Sequence, residues 1–187
     1  MVMDVKKNAN IVVSEIESVF SKLDYNDVSK FIEYINEANK IILIGVGREG
    51  LSTRAFTMRL MHLGYNSYWI WDDTTPSIEE GDLLIATNGS GNIGHINYVI
   101  EKAKEHKANT VVVTGNPNGK AAKTCDHTLF LPASVYLGDA EVVESIQPMG
   151  NLFEQCLLIM YDLIIMELLK NSDITENEMS KHHRNLE

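Results

Sequence analysis

The sequence predicts an α/β fold: a five-stranded parallel sheet sandwiched between helices, with extra helices at the N- and C-terminal ends. Three observations predict it. Five short apolar runs, several rich in β-branched residues, recur between residues 40 and 131. Segments with apolar residues at helical spacing alternate with them. Two of the runs stop at a small glycine loop, Gly45-Val46-Gly47 and Gly89-Ser90-Gly91, where a strand hands over to a helix. Strands joined by helices run parallel, and a sheet covered on both faces needs apolar residues on both.

Taken in order, residues 8–37 read as helical. Ile11, Ile16, Val19, Phe20 and Leu23 recur at helical spacing; after a break near residues 24–27 the pattern resumes at Val28, Phe31, Ile32 and Ile35. The α/β core spans about residues 40–131. Its first strand, residues 40–45, contains Ile41-Ile42-Leu43-Ile44, and a helix over residues 49–63 turns Leu51, Ala55, Met58, Leu60 and Met61 inward. Residues 66–71 form the second strand, in which Trp69 and Trp71 are structural. Thr75-Pro76-Ser77 starts a short turn or helix, since proline suits a first helical position. The third strand, residues 82–87, precedes a helix over residues 94–106. The fourth strand, residues 110–114, ends at the turn Gly115-Asn116-Pro117-Asn118-Gly119. A short helix over residues 120–124 leads to the fifth strand, residues 127–131. Residues 132–147 are irregular and carry Asp139, Glu141 and Glu144. A long helix over residues 148–170 is apolar nearly all round, which predicts burial, partly at a subunit interface. A tail over residues 174–187 closes with His182-His183-Arg184-Asn185-Leu186-Glu187. No internal repeat or low-complexity tract interrupts this order.

The totals bound the function. A chain of 187 residues with 44% apolar content is one globular domain by default. A formal charge of -10 argues against a nucleic-acid partner. It leaves room for a local cationic pocket, and Arg48, Arg54 and Arg59 follow the first glycine loop. Cys125 and Cys156 lack metal-ligand spacing and read as small core residues of a reducing compartment. The N-terminus shows no continuous apolar core of a signal peptide, and Glu154, Gln155, Asp162 and Glu167 interrupt the most apolar late stretch. A membrane span needs about 20 mainly apolar residues. A cytoplasmic protein with no membrane partner is the expectation.

The chemistry concentrates in the loops at the strand ends. In residues 88–93, Gly89 and Gly91 free the backbone, while Asn88, Ser90 and Asn92 bring amide and hydroxyl groups. The helix start that follows offers free N–H groups and a favourable dipole to an anion, above all a phosphate. An ordinary strand-to-helix turn fits this loop equally well. Gly45, Gly47 and Gly50 match the start of a dinucleotide fingerprint. No acidic residue closes a second strand about 20 residues later, since Asp72 and Asp73 precede the loop Thr74-Thr75-Pro76. Arg48 could meet a phosphate as a bidentate donor or lie on the surface. Glu154, early in the oily helix, is either a desolvated base or an acid that compensates the helix dipole. His62, between Met61 and Leu63, reads first as a satisfied core or interface residue.

Several of these stretches together resemble the sugar isomerase (SIS) domain family and, within it, the 6-phospho-3-hexuloisomerase group. The resemblance rests on Gly45-Val46-Gly47-Arg48 and on the helix Ala55-Phe56-Thr57-Met58-Arg59-Leu60-Met61-His62-Leu63-Gly64. It continues through Thr74-Thr75-Pro76, Gly81-Asp82-Leu83-Leu84-Ile85, Gly89-Ser90-Gly91 and Gln147-Pro148-Met149-Gly150 with Phe153-Glu154. It ends with His183 and Asn185-Leu186-Glu187, so that it covers the chain from about residue 8. It implies one SIS domain over residues 1–187, a flavodoxin-like three-layer sandwich, and a homotetramer with sites shared between subunits. It implies interconversion of 3-hexulose 6-phosphate and fructose 6-phosphate through a cis-enediol, with no metal or cofactor. By the same resemblance Glu154 is the catalytic base, and His62, or His183 from a neighbouring tail, assists ring opening. Gly47, Arg48, Glu49, Asn88, Gly89, Ser90, Gly91, Asn92 and Ile93 would line the substrate site. Two departures stand out. Glu49 follows the Gly-x-Gly-Arg run where the family usually has Ser, and Asn88 and Ile93 replace two hydroxyl residues of the phosphate loop.

Overall fold

The computed structural model describes residues 4–138, 140–172 and 174–186; Asp139 and Glu187 lie outside them. The chain order is α1 (Val5–Ser21), α2 (Tyr25–Glu37), β1 (Ile41–Ile44), α3 (Gly47–His62), β2 (Ser67–Trp69), β3 (Leu83–Thr87), α4 (Gly94–Glu105), β4 (Asn109–Thr114), α5 (Lys120–Thr124), β5 (His127–Phe130), α6 (Asn151–Lys170) and α7 (Glu176–Lys181). The expected five-stranded parallel sheet is present, in the order β2-β1-β3-β4-β5.

Alternation along each strand builds two cores. Ile41, Leu43, Leu83, Ile85, Val111 and Val113 pack towards α1, α2, α3 and α6. Their neighbours Ile42, Ile44, Leu84, Ala86 and Val112 pack towards α4 and α5. Successive side chains point to opposite faces, so a strand buried on both sides must be apolar throughout. β3 is buried at all of its positions.

The strand order reverses direction between β1 and β3. The chain leaves β1 for one edge of the sheet and leaves β3 for the other, which opens a crevice beyond their carboxyl ends. The loops after these two strands, residues 45–50 and 88–93, flank that crevice.

The structure corrects four local expectations. β2 is shorter, and Trp71 lies beyond it, half exposed and stacked on the His95 ring. Residues 75–77 form no helix; a turn closed by the Thr75 N–H on the Asp72 carbonyl precedes an irregular stretch. On α3 the inward face is Gly50, Thr53, Phe56, Thr57 and Leu60, whereas Leu51, Met58 and Met61 point outward. The helix carries two apolar faces, and the spacing of the methionines marks the one that a single chain leaves uncovered. Finally, α6 begins at Asn151, after a turn in which the Asn151 N–H meets the Pro148 carbonyl.

Candidate active site

Three elements bring side chains to the crevice: the first turn of α3, the loop after β3 and the first turn of α6. α6 is set there by an anchor on α1 that hydrophobic spacing alone does not reveal. Glu15 lies on the apolar stripe of α1, four residues from Ile11 and from Val19, and is only 9% exposed. It accepts from Ser145 Oγ (2.6 Å), Ile146 N (2.8 Å) and Gln147 Nε2 (3.1 Å). Burial alone would raise its pKa, but these donors outweigh it and hold the carboxyl below its ordinary value. Gln147 and Gln155 also exchange amide hydrogen bonds of 2.8 and 3.1 Å. The Gln147-Pro148-Met149-Gly150 stretch is thus a clamp that fixes where α6 starts. An acid on an apolar helix stripe was the available signal.

Beneath the crevice, a buried hydroxyl chain ties the three elements together. Thr87 Oγ1 lies 2.7 Å from Thr53 Oγ1 and 2.6 Å from the Tyr161 hydroxyl. Phe56 stacks on Tyr161 with ring centroids 4.2 Å apart. This locks α3 to α6, and with it the spacing between Glu49 and Glu154.

The loop itself is held from inside. Asn88 is fully buried; its Nδ2 donates to Asn97 Oδ1 (3.1 Å) and its Oδ1 accepts from the Ile93 N–H (3.3 Å). Asn88 therefore shapes the loop and does not face the mouth. Ile93 packs into the core on the α4 side. Asn92 is exposed, and its Oδ1 accepts from the Lys120 N–H (3.1 Å). Ser90 is partly exposed at the loop tip, and its Oγ accepts from the Asn92 N–H (3.4 Å). Gly91 has φ +73° and a Cβ there would sit 2.9 Å from the Gly119 backbone, so only glycine fits this crossing of two loops. No side chain caps α4, which leaves its first N–H groups available to an anion.

Two carboxylates meet at the mouth. Glu154, 16% exposed, places Oε2 2.7 Å from Arg48 Nη1. The same guanidinium nitrogen donates to Asn151 Oδ1, and Glu154 Oε2 has no aligned hydrogen bond. The contact is an ion pair by proximity that leaves a lone pair unengaged. Burial pushes the Glu154 pKa up, and Arg48 pulls it part of the way back. Glu49 Oε2 accepts from the Gly89 N–H at 3.0 Å. A Cβ on Gly89 would lie 2.3 Å from Glu49 Oε1 and 3.2 Å from Phe153, so the approach depends on glycine. Burial raises the Glu49 pKa to about 7; the Gly89 hydrogen bond opposes the shift and Glu154 adds to it.

The other candidates stand elsewhere. Arg54 pairs with Asp72 at the surface (3.2 Å), and Arg59 Nη1 lies 3.4 Å from His62 Nδ1, so of the three arginines only Arg48 reaches the mouth. His62 closes the far end of α3, about 20 Å along the helix from Glu49 at 1.5 Å per residue. One chain does not bring His62 to Glu154. The tail folds back onto its own α3 instead: His182 Nδ1 donates to the His62 carbonyl (2.8 Å), and the His62 and His183 rings lie 5.3 Å apart. A capping box between Thr175 and Glu178 starts the tail helix. Burial, then Arg59 and the two tail histidines, hold the His62 pKa below its ordinary value.

Residues 34–158 match the SIS domain family. The chain belongs to that family. Within it, the chain is 32% identical to a Bacillus subtilis protein named 3-hexulose-6-phosphate isomerase, over 94% of this chain and 95% of that one. It is 39% identical to a 3-hexulose-6-phosphate isomerase of Methanocaldococcus jannaschii, over 86% and 84% of the two chains. The crystal structure of a Methanococcus jannaschii protein, from which a function of 3-hexulose-6-phosphate isomerase was inferred, superposes with a TM-score of 0.84. That match has 37% identity and covers 97% of this chain and 99% of the other. The fold and nearly the whole chain length are therefore shared with proteins named for, or inferred to have, this isomerase activity.

Proposed function

We propose that this SIS protein is a sugar-phosphate isomerase of the 6-phospho-3-hexuloisomerase type, interconverting 3-hexulose 6-phosphate and fructose 6-phosphate. The observation that carries the reading is the carboxylate of Glu154, desolvated and held by Arg48 as an ion pair with no aligned hydrogen bond on Oε2, beside a loop whose helix start favours an anion. Relatives named for this activity over nearly the whole chain support the substrate class.

The reaction moves a carbonyl by one carbon. Glu154 takes the proton from the carbon bearing the neighbouring hydroxyl, and the electron pair forms the C=C bond of a cis-enediolate as the carbonyl oxygen gains charge. The hydroxyl proton passes between the two oxygens, and Glu154 returns its proton to the former carbonyl carbon. Proton transfer by a positioned carboxylate contributes about 10²–10⁴ in rate. Arg48, 2.7 Å from Glu154, steadies the carboxylate and lies where developing oxygen charge needs a cation. Ser90, Asn92, Gly89 and Gly91 with the start of α4 receive the phosphate, while Asn88 and Ile93 support them from below.

A homo-oligomer, and a tetramer with shared sites, is part of the same reading. It is supported by the apolar residues that one chain leaves exposed, Leu158, Ile159, Leu163 and Met166 on α6 and Leu51, Met58 and Met61 on α3. A second copy would also offer a route by which the His62 of one chain approaches the Glu154 of another. The reading further takes residues 1–187 as one SIS domain working in the cytoplasm. No described helix is long and apolar enough to cross a membrane.

A second reading, a phosphosugar sensor without catalysis, is favoured by Glu49, which occupies a loop amide with a carboxylate. The deciding experiment is fructose 6-phosphate in heavy water with the purified protein. The isomerase incorporates solvent deuterium at carbon; binding without incorporation leaves the sensor.

A further inference from the structure

The amides of the phosphate loop are not equally available. The Gly91 N–H is closed on the Asn88 carbonyl (2.9 Å), the Ile93 N–H on Asn88 Oδ1 (3.3 Å) and the Asn92 N–H on Ser90 Oγ (3.4 Å). The Gly89 N–H differs, because a carboxylate from another element holds it, Glu49 at 3.0 Å. The fit is close: Gly89 has no room for a Cβ beside Glu49 Oε1, and the Phe153 ring closes the adjoining side. Glu49 also belongs to the first turn of α3, where no side chain caps the helix. It is a built-in anion at the mouth of a site that is read as receiving another anion.

The charges around it decide what happens when a phosphate arrives. α6 presents Glu154 and the buried, protonated Tyr161. α3 presents Arg48, which is already turned to Glu154 and Asn151. The loop after β3 brings amides and hydroxyls and no charge, β1 and β3 carry no ionisable side chain, and Tyr68 of β2 packs on the opposite face of the sheet. An ionised Glu49 and a phosphate dianion would compete for the Gly89 N–H, and the cation at the mouth, Arg48, is already paired with Glu154 and Asn151. The carboxyl can swing out of a slot walled by Gly89 and Phe153, or it can take a proton and become a donor itself.

We propose that Glu49 binds the substrate phosphate as a neutral acid, so that phosphate binding takes up one proton from solvent and the O–H of Glu49 donates to a phosphate oxygen. No bond other than the carboxyl O–H forms or breaks. The inference rests on the phosphosugar reading above. It is supported by the raised pKa of Glu49, about 7, which keeps the proton within easy reach near neutrality. Ionised Glu49 then acts as a competitor that the sugar phosphate must neutralise, and affinity rises as pH falls towards 6.

The test is isothermal titration calorimetry of the full chain with inorganic phosphate and with fructose 6-phosphate, in pairs of buffers of different ionisation enthalpy. At pH 8 a group titrating near 7 is about nine-tenths ionised. Wild type is expected to take up about 0.9 proton per ligand beyond the count in Glu49→Gln. Glu49→Ser is expected to bind about tenfold tighter than wild type at pH 8 and less than about twofold tighter at pH 6. Circular dichroism confirms that each variant folds, and the two variants serve as substitutes for each other. Equal proton counts in wild type and variants, or affinities that shift equally with pH, overturn the proposal. Phosphate bound with proton uptake, but no fructose 6-phosphate bound, keeps it and removes the hexuloisomerase reading. Fructose 6-phosphate bound with no extra proton removes it and keeps that reading. Absence of binding of both probes to wild type at pH 6 and pH 8 removes both.

Discussion

Arg48 and Glu154 stand 2.7 Å apart across the junction of α3 and α6, yet Arg48 aims its hydrogen bond at Asn151. The pair is electrostatic without being geometrically closed. This arrangement suits a base: the cation keeps Glu154 ionised, and the free lone pair keeps it usable. Glu154→Gln retains the shape and loses the base. It is expected to lower kcat by about 10²–10⁴ while leaving the Kd for fructose 6-phosphate within a few-fold. Steady-state rates with a binding isotherm check it; an unchanged kcat would remove Glu154 as the base.

Removing the cation tests the other half of the pair. Arg48 opposes the burial that raises the Glu154 pKa, so in Arg48→Ala that pKa rises further. The acidic limb of the kcat–pH profile is expected to move to higher pH. A limb that stays in place, or moves down, would show that Glu154 does not set it.

Glu49 makes a prediction about stability. Its carboxyl titrates near 7 in the folded chain, against 4.5 for the ordinary group. Between those values the folded state holds a proton that the unfolded state has released. The stability this contributes is full below about pH 4.5 and is lost as pH rises through 7, amounting to about 3 kcal/mol at most. The urea midpoint should fall less between pH 5 and pH 8 in Glu49→Gln than in wild type. Parallel pH dependence in the two proteins would contradict the burial argument.

Gly89 is the residue that lets Glu49 in. Gly89→Ala places a methyl group 2.3 Å from Glu49 Oε1 and 3.2 Å from Phe153, so the flexible carboxylate is displaced from the amide. The expected cost is about 1–3 kcal/mol. In a Glu49→Ala background the same change should cost less by at least about 0.5 kcal/mol, because the two sites are in contact. Chemical denaturation of the four proteins measures the coupling, and strict additivity would refute it.

The uncovered apolar faces predict assembly. Met166→Glu on α6 and Met61→Glu on α3 put charges where a second copy is expected to pack. Light scattering should report a multiple of the chain mass for wild type and a smaller one for at least one variant. A monomeric wild type that is fully active would dispose of shared sites.

Much of this was legible in the residues. The alternation of buried strands with helices, the two glycine loops at strand ends and the acid on an oily helix are local patterns, and local patterns survive translation into a fold. The face of α3 was not legible. Leu51, Met58 and Met61 have the spacing of a core stripe, and nothing in a one-dimensional pattern distinguishes a stripe that meets the sheet from one left open. The contact of Glu15 with Gln147 was not legible for a related reason, since the two lie 132 positions apart in sequence.

The amino-acid order alone determined that strands and helices alternate, that the sheet is parallel and where the two loops fall, because hydrophobic burial and backbone freedom act over a few residues at a time. Tertiary structure decided which groups meet there. It set Glu49 on the Gly89 amide and Glu154 on Arg48, took Asn88 and Ile93 inward, and held His62 at the far end of its helix. Those outcomes depend on distances between segments remote in sequence, which only the packed chain defines.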